Sequence, residues 1–96
     1  MKTGEEIERT LKSLKPLLKE NFKVKEIGVF GSYVRGDGTE ESDVDILVEF
    51  HEPIGWEFVD LKEILEEILG KRVDMVTLRA LKPQLRDRIL REVVFA

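Results

Sequence analysis

Apolar residues recur at Ile7, Leu11, Leu14, Leu18 and Phe22, a helical spacing, behind a Thr3–Glu6 capping-box signature. Pro16 falls inside this stretch, lacks an amide donor and clashes with the preceding turn, so the pattern predicts either a kinked helix or two helices. Val24 to Phe30 reads as a strand ended by Gly31, and a short helix opens near Ser32 and stops at Gly36. Asp37 to Ser42 is loop. In Asp43 to Phe50 the even positions Val44, Ile46, Val48 and Phe50 are apolar, while the odd positions begin Asp43, Asp45. That period of two predicts a strand with one face in the core and carboxylates on the other.

Beyond Pro53 and Gly55, the residues Phe58, Leu61, Ile64, Leu65, Ile68 and Leu69 form a broad helical stripe, with Gly70 as its C-terminal cap. Arg72 to Leu78 predicts a third strand. Pro83 suits the first position of a last helix carrying Leu85, Ile89 and Val93. Val93 to Phe95 reads either as the end of that helix or as a short edge strand. The order predicts an α+β fold in which a small mixed sheet carries helices on one face and function on the other.

The chain has 96 residues, which sets the expectation of a single domain over residues 1–96, with no room for a separate acceptor-binding domain. Charged residues make up 38% and the net charge is −4, a balance that disfavours direct nucleic-acid binding. Cysteine is absent, which excludes thiolate nucleophiles, disulfides and Cys-based zinc sites. With no apolar segment of membrane-spanning length and no signal-type start, a cytoplasmic location is expected. Abundant Lys, Arg and Glu, with Asn21 and Gln84 the sole amides of their kinds, lean towards a thermophilic composition.

The chemistry concentrates in two segments. Gly31-Ser32 follows a strand and opens a helix, where a glycine lets backbone approach a ligand and amides favour phosphate. Taken alone, the pair reads as an ordinary turn with Ser32 as cap, and no Gly-Lys-Ser/Thr makes it a Walker A loop. Asp43 and Asp45, two apart on a strand, lie roughly 6.5–7 Å apart at Cα on one face, a separation compatible with two metal ions about 3.5–4 Å apart. A lone Asp there is a solvated residue, but two facing like charges repel unless a cation joins them. Asp74, between Val73 and Met75, is the candidate third acid. Arg35 is placed either to contact phosphate or to pin the loop through Asp37 or Asp43, and Ser42 to orient the loop. His51 has no spaced partner and reads as surface. Trp56 reads as core or interface anchor, and Tyr33 either flanks a nucleotide or is part of the packing.

Phe30-Gly31-Ser32-x-x-Arg35-Gly36, followed by Ser42-Asp43-x-Asp45-x-x-Val48 and later by Val73-Asp74-Met75-Val76-Thr77, resembles the DNA polymerase beta-like nucleotidyltransferase superfamily. At this length the chain is similar to its minimal nucleotidyltransferases (MNT domains), often paired with a HEPN-domain toxin. The resemblance implies that Gly31 and Ser32 hold the triphosphate of ATP; Arg35 and Ser42 are the further candidate nucleotide-binding residues. It implies that Asp43 and Asp45 bind two Mg²⁺ ions, and that Asp74 binds one of them and helps activate the attacking hydroxyl. The implied reaction transfers AMP to a hydroxyl, a tyrosine of the HEPN partner, and makes the chain the antitoxin of the pair. The alternative is an antitoxin that neutralises its partner by binding alone. Association into an oligomer is compatible with either.

Overall fold

The computed structural model describes residues 3–39 and 41–96. Their elements run α1 (Gly4–Phe22), β1 (Val24–Phe30), α2 (Ser32–Arg35), β2 (Val44–Phe50), α3 (Glu57–Leu69), β3 (Val73–Thr77), a 3₁₀ turn (Leu78–Ala80), α4 (Pro83–Glu92) and β4 (Val94–Phe95). The strands form one mixed sheet in the order β3-β2-β1-β4. β1 pairs antiparallel with both β2 and β4, whereas β2 and β3 run parallel. The parallel pair needs a crossover, and α3 supplies it.

The core lies between one face of this sheet and the helices α1 and α3. Ile7, Leu11, Leu18, Leu61, Leu65 and Leu69 meet Ile27, Val29, Val44, Ile46, Val48, Val73 and Met75 there. This is the α+β arrangement that the hydrophobic pattern predicts.

Several boundaries depart from that pattern. α1 runs through Pro16 as one helix, which removes the two-helix alternative. Leu11 before the proline and Leu18 after it are both buried on the core face, and this burial outweighs one missing backbone hydrogen bond. The Glu6 amide donates to Thr3 Oγ1 at 3.2 Å, so the expected cap forms. β2 begins at Val44, one residue after Asp43, because the ladder starts where the Val44 amide donates to the Arg72 carbonyl at 2.9 Å. β3 stops at Thr77, whose hydroxyl accepts from the Ala80 amide and turns Leu78 into the 3₁₀ segment. α4 starts at Pro83 as expected, and the chain after it becomes an edge strand, not more helix. Gly28 makes that docking feasible: a Cβ there would stand 2.8 Å from Val93 Cγ2 and 2.8 Å from the Val94 carbonyl oxygen.

Candidate active site

The acid face is the side of β2 turned away from the core. Val44, Ile46 and Val48 point into the core, and Asp45 between them points the other way. The parallel register sets Asp45 directly beside Asp74, so both carboxylates project from the same face of neighbouring strands. Asp74 is exposed between buried Val73 and Met75. Asp43 sits at the mouth of β2, half exposed, with Oδ1 at 3.5 Å from the Arg72 guanidinium Nε.

Partial burial pushes the Asp45 carboxyl up from its ordinary 3.8 to about 6, with the charges of Asp74 and Asp43 adding to the rise and that of Arg35 opposing it. The charges of Asp74 and Asp43 are therefore close enough to disfavour ionisation of Asp45. Such a cluster is suited to a cation. Among the described residues no three acidic or histidine side chains form a ready-made metal cage. Mg²⁺ does not require one, since it keeps several waters and takes one or two carboxylates together with substrate phosphates. Asp43, Asp45 and Asp74 offer the hard oxygen donors that such an ion selects.

The Gly31 turn closes the other side. Phe30 pairs with Asp45 at the end of the β1–β2 ladder, so the turn begins beside that carboxylate. Gly31 has φ +80°, a conformation that L side chains rarely adopt, and a Cβ at this position would run into Asp45 Oδ2. Glycine is required here by both backbone conformation and space. Gly31 is also the N-cap of α2 and makes no side-chain cap bond, which places Ser32 as the first helical residue and not as the cap.

Arg35 is held at two points. Its Nη1 donates to Glu92 Oε1 at 2.6 Å and its Nε to Asp37 Oδ2 at 3.4 Å. Asp37 is one of the two local acids the sequence offered for this role; the other, Asp43, is paired with Arg72 instead. Ser42 Oγ accepts from the Thr39 amide at 2.9 Å, and Tyr33 hydroxyl donates to the Thr39 carbonyl at 3.2 Å. Both side chains thus shape the loop that carries Asp43. Tyr33 is buried, whereas Trp56 is 81% exposed, which excludes a core role for it. His51 is exposed, just past the end of β2.

Glu92 was not visible as a site residue from sequence. It arrives from α4, where it lies three residues after buried Ile89 on the same side of the helix. Its Oε2 accepts from the Gly31 amide at 3.2 Å while Oε1 holds Arg35. With Phe30, Gly31, Arg35, Asp45 and Ile89 it lines a cleft of about 230 Å³. The fold therefore adds α4 to the rim of the acid face, beyond the helices packed on the core side.

The nucleotidyltransferase domain family matches residues 11–96 of this sequence. The chain belongs to that family. Protein adenylyltransferase MntA of Thermococcus cleftensis is 54% identical over 99% of this chain and 97% of its own length. A Methanocaldococcus jannaschii relative, assigned as a protein adenylyltransferase, is 44% identical over 99% of both chains. Among solved structures, a minimal nucleotidyltransferase superposes with a TM-score of 0.83 at 36% identity, covering 97% of this chain and 95% of that one. A toxin–antitoxin complex with AMP-PNP superposes with a TM-score of 0.73 at 28% identity, over 88% of this chain and 69% of the other. No helix among the described residues is long and apolar enough to cross a membrane.

Proposed function

We propose that this nucleotidyltransferase is a cytoplasmic, Mg²⁺-dependent protein adenylyltransferase that acts as the antitoxin of a HEPN-domain toxin. The observation that carries the reading is the juxtaposition of Asp45 and Asp74 in register, with the Gly31 turn packed against the same carboxylate. The relatives' names supply the acceptor class, since T. cleftensis MntA modifies protein. The AMP-PNP bound in a related toxin–antitoxin complex supplies the nucleotide class.

In this reading Gly31 and Ser32 seat the triphosphate, with Arg35 and Ser42 at its edge. Asp43 and Asp45 would hold two Mg²⁺ ions, with Asp74 as a further ligand. Bound there, the ions would neutralise phosphate charge and favour displacement at the α-phosphorus. Asp74, exposed and beside Asp45, takes the proton from the incoming hydroxyl. The hydroxyl oxygen of a partner tyrosine forms the new bond to the α-phosphorus, the bond from that phosphorus to the β-phosphate bridging oxygen breaks, and pyrophosphate leaves. Transfer of AMP to the toxin silences it.

The test is incubation of the chain with Mg-ATP and its HEPN partner, followed by intact-mass analysis of both proteins. A gain of one or more adenylyl groups on the partner, lost in Asp43→Asn, supports the reading. Neutralisation of the toxin by an Asp43→Asn/Asp45→Asn double variant as complete as by the wild type would refute it and leave binding alone as the mode of action.

A further inference from the structure

Glu92 bonds to both halves of the turn that faces Asp45, and no part of the reaction above uses it. The Gly31 amide lies just past the last rung of the β1–β2 ladder, so it has no strand partner there. A half-buried amide left unmet is costly, and Glu92 Oε2 meets it at 3.2 Å. The second oxygen, Oε1, takes Arg35 at 2.6 Å, and the Glu92 side chain is only 18% exposed. One carboxylate therefore ties α4, the glycine turn and Arg35 into a single arrangement.

Arg35 has a limited choice of acids. It already reaches Asp37, at 3.4 Å across an exposed contact, and it lines the same cleft as Asp45. If Glu92 were removed, the strongest remaining attraction inside that cleft would be the Asp45 carboxylate. A guanidinium settled on Asp45 would satisfy the oxygens that a metal–nucleotide complex needs. A carboxylate on a neighbouring helix prevents this without touching the substrate.

We propose that Glu92 is a positioning residue of the nucleotide site: it fixes the Gly31 turn and keeps Arg35 off Asp45. This rests on the nucleotide reading of the site given above. It is a statement about α4, a segment that carries none of the motif residues.

The test is calorimetric titration of the full chain with a non-hydrolysable ATP analogue in Mg²⁺, for the wild type, Glu92→Gln, Glu92→Ala and Glu92→Ala/Arg35→Met. Thermal unfolding of each variant checks that it folds, and hydrogen exchange reads the Gly31 amide. Loss of a charge-assisted contact predicts roughly ten- to a hundredfold weaker binding by Glu92→Ala. Glu92→Gln, which keeps an acceptor for Gly31 and gives none of the charge to Arg35, falls between, and it carries the test if Glu92→Ala does not fold. Gly31 exchange accelerates in Glu92→Ala. With Met at position 35, the Glu92→Ala change costs less than in the wild-type background, because the two side chains act as a unit. Wild-type affinity in Glu92→Ala, or tighter binding, overturns the proposal; tighter binding would make the carboxylate an occupant of the phosphate seat. Failure of the nucleotide reading itself is recognised separately, because then the wild type also does not bind, and the positioning role falls with it.

Discussion

Replacing Asp45 by Asn should stabilise this protein while destroying its site. The carboxyl is pushed up from 3.8 to about 6 by partial burial and by Asp74 and Asp43. An acid whose folded-state value lies above its unfolded value favours folding only while protonated. The cost of ionising it is therefore absent below about pH 4, grows between about pH 4 and 6, and is complete above that. The gap corresponds to at most about 3 kcal/mol, and solvent screening of this half-buried group reduces it to about 1–2 kcal/mol. Asn has nearly the same shape, so the packing against Gly31 survives. In a domain of this size 1 kcal/mol moves the melting midpoint by about 4–8 °C. At pH 8 Asp45→Asn should accordingly melt higher than the wild type by about 4–15 °C, with the difference vanishing near pH 4. Calorimetric melts at the two pH values measure it. In the same melts, Mg-ATP should raise the wild-type midpoint through binding to the folded state and leave the variant unmoved. A variant that melts below the wild type at pH 8, or a gain independent of pH, would refute the account of a strained acid cluster.

Three further outcomes follow from other contacts. Gly31→Ala places a methyl group against Asp45 at a φ of +80°, so urea unfolding should show a loss of about 1–3 kcal/mol, together with loss of nucleotide-dependent stabilisation. Asp74→Asn changes an exposed residue: its melting midpoint at pH 8 should stay within a few degrees of the wild type, while adenylyl transfer measured by intact mass falls at least a hundredfold. Tyr33→Phe removes the hydroxyl that donates to the Thr39 carbonyl; a loss of about 0.5–1.5 kcal/mol in denaturant unfolding is expected, with faster amide exchange at Ser42.

The strand and helix pattern was readable because most of this chain obeys simple periods. Alternation in β2 announced which residues enter the core, and the stripe from Phe58 to Leu69 announced α3 and its glycine stop. Asp43, Asp45 and the Gly31-Ser32 turn were legible for the same reason, being local patterns fourteen residues or fewer apart. Where the pattern left two alternatives open, a non-local energy decided between them. At Pro16 the pattern allowed a kinked helix or two helices, and burial of Leu11 and Leu18 on either side kept α1 whole. Trp56 read as core or interface anchor, and its exposure removes the core alternative, because α3 turns its Phe58–Leu61–Leu65 side inward.

What the linear chain determined by itself is the inventory: a mixed-sheet fold, a glycine turn and a set of carboxylates, each specified by neighbours a few residues away. The tertiary structure alone decided that Asp74 stands in register with Asp45, that Gly31 has no room for a side chain because of that same carboxylate, and that Glu92 closes the turn from sixty-one residues away. Register and long-range pairing depend on how the helices fill the space over the sheet, a sum over the whole core that no short window of sequence contains.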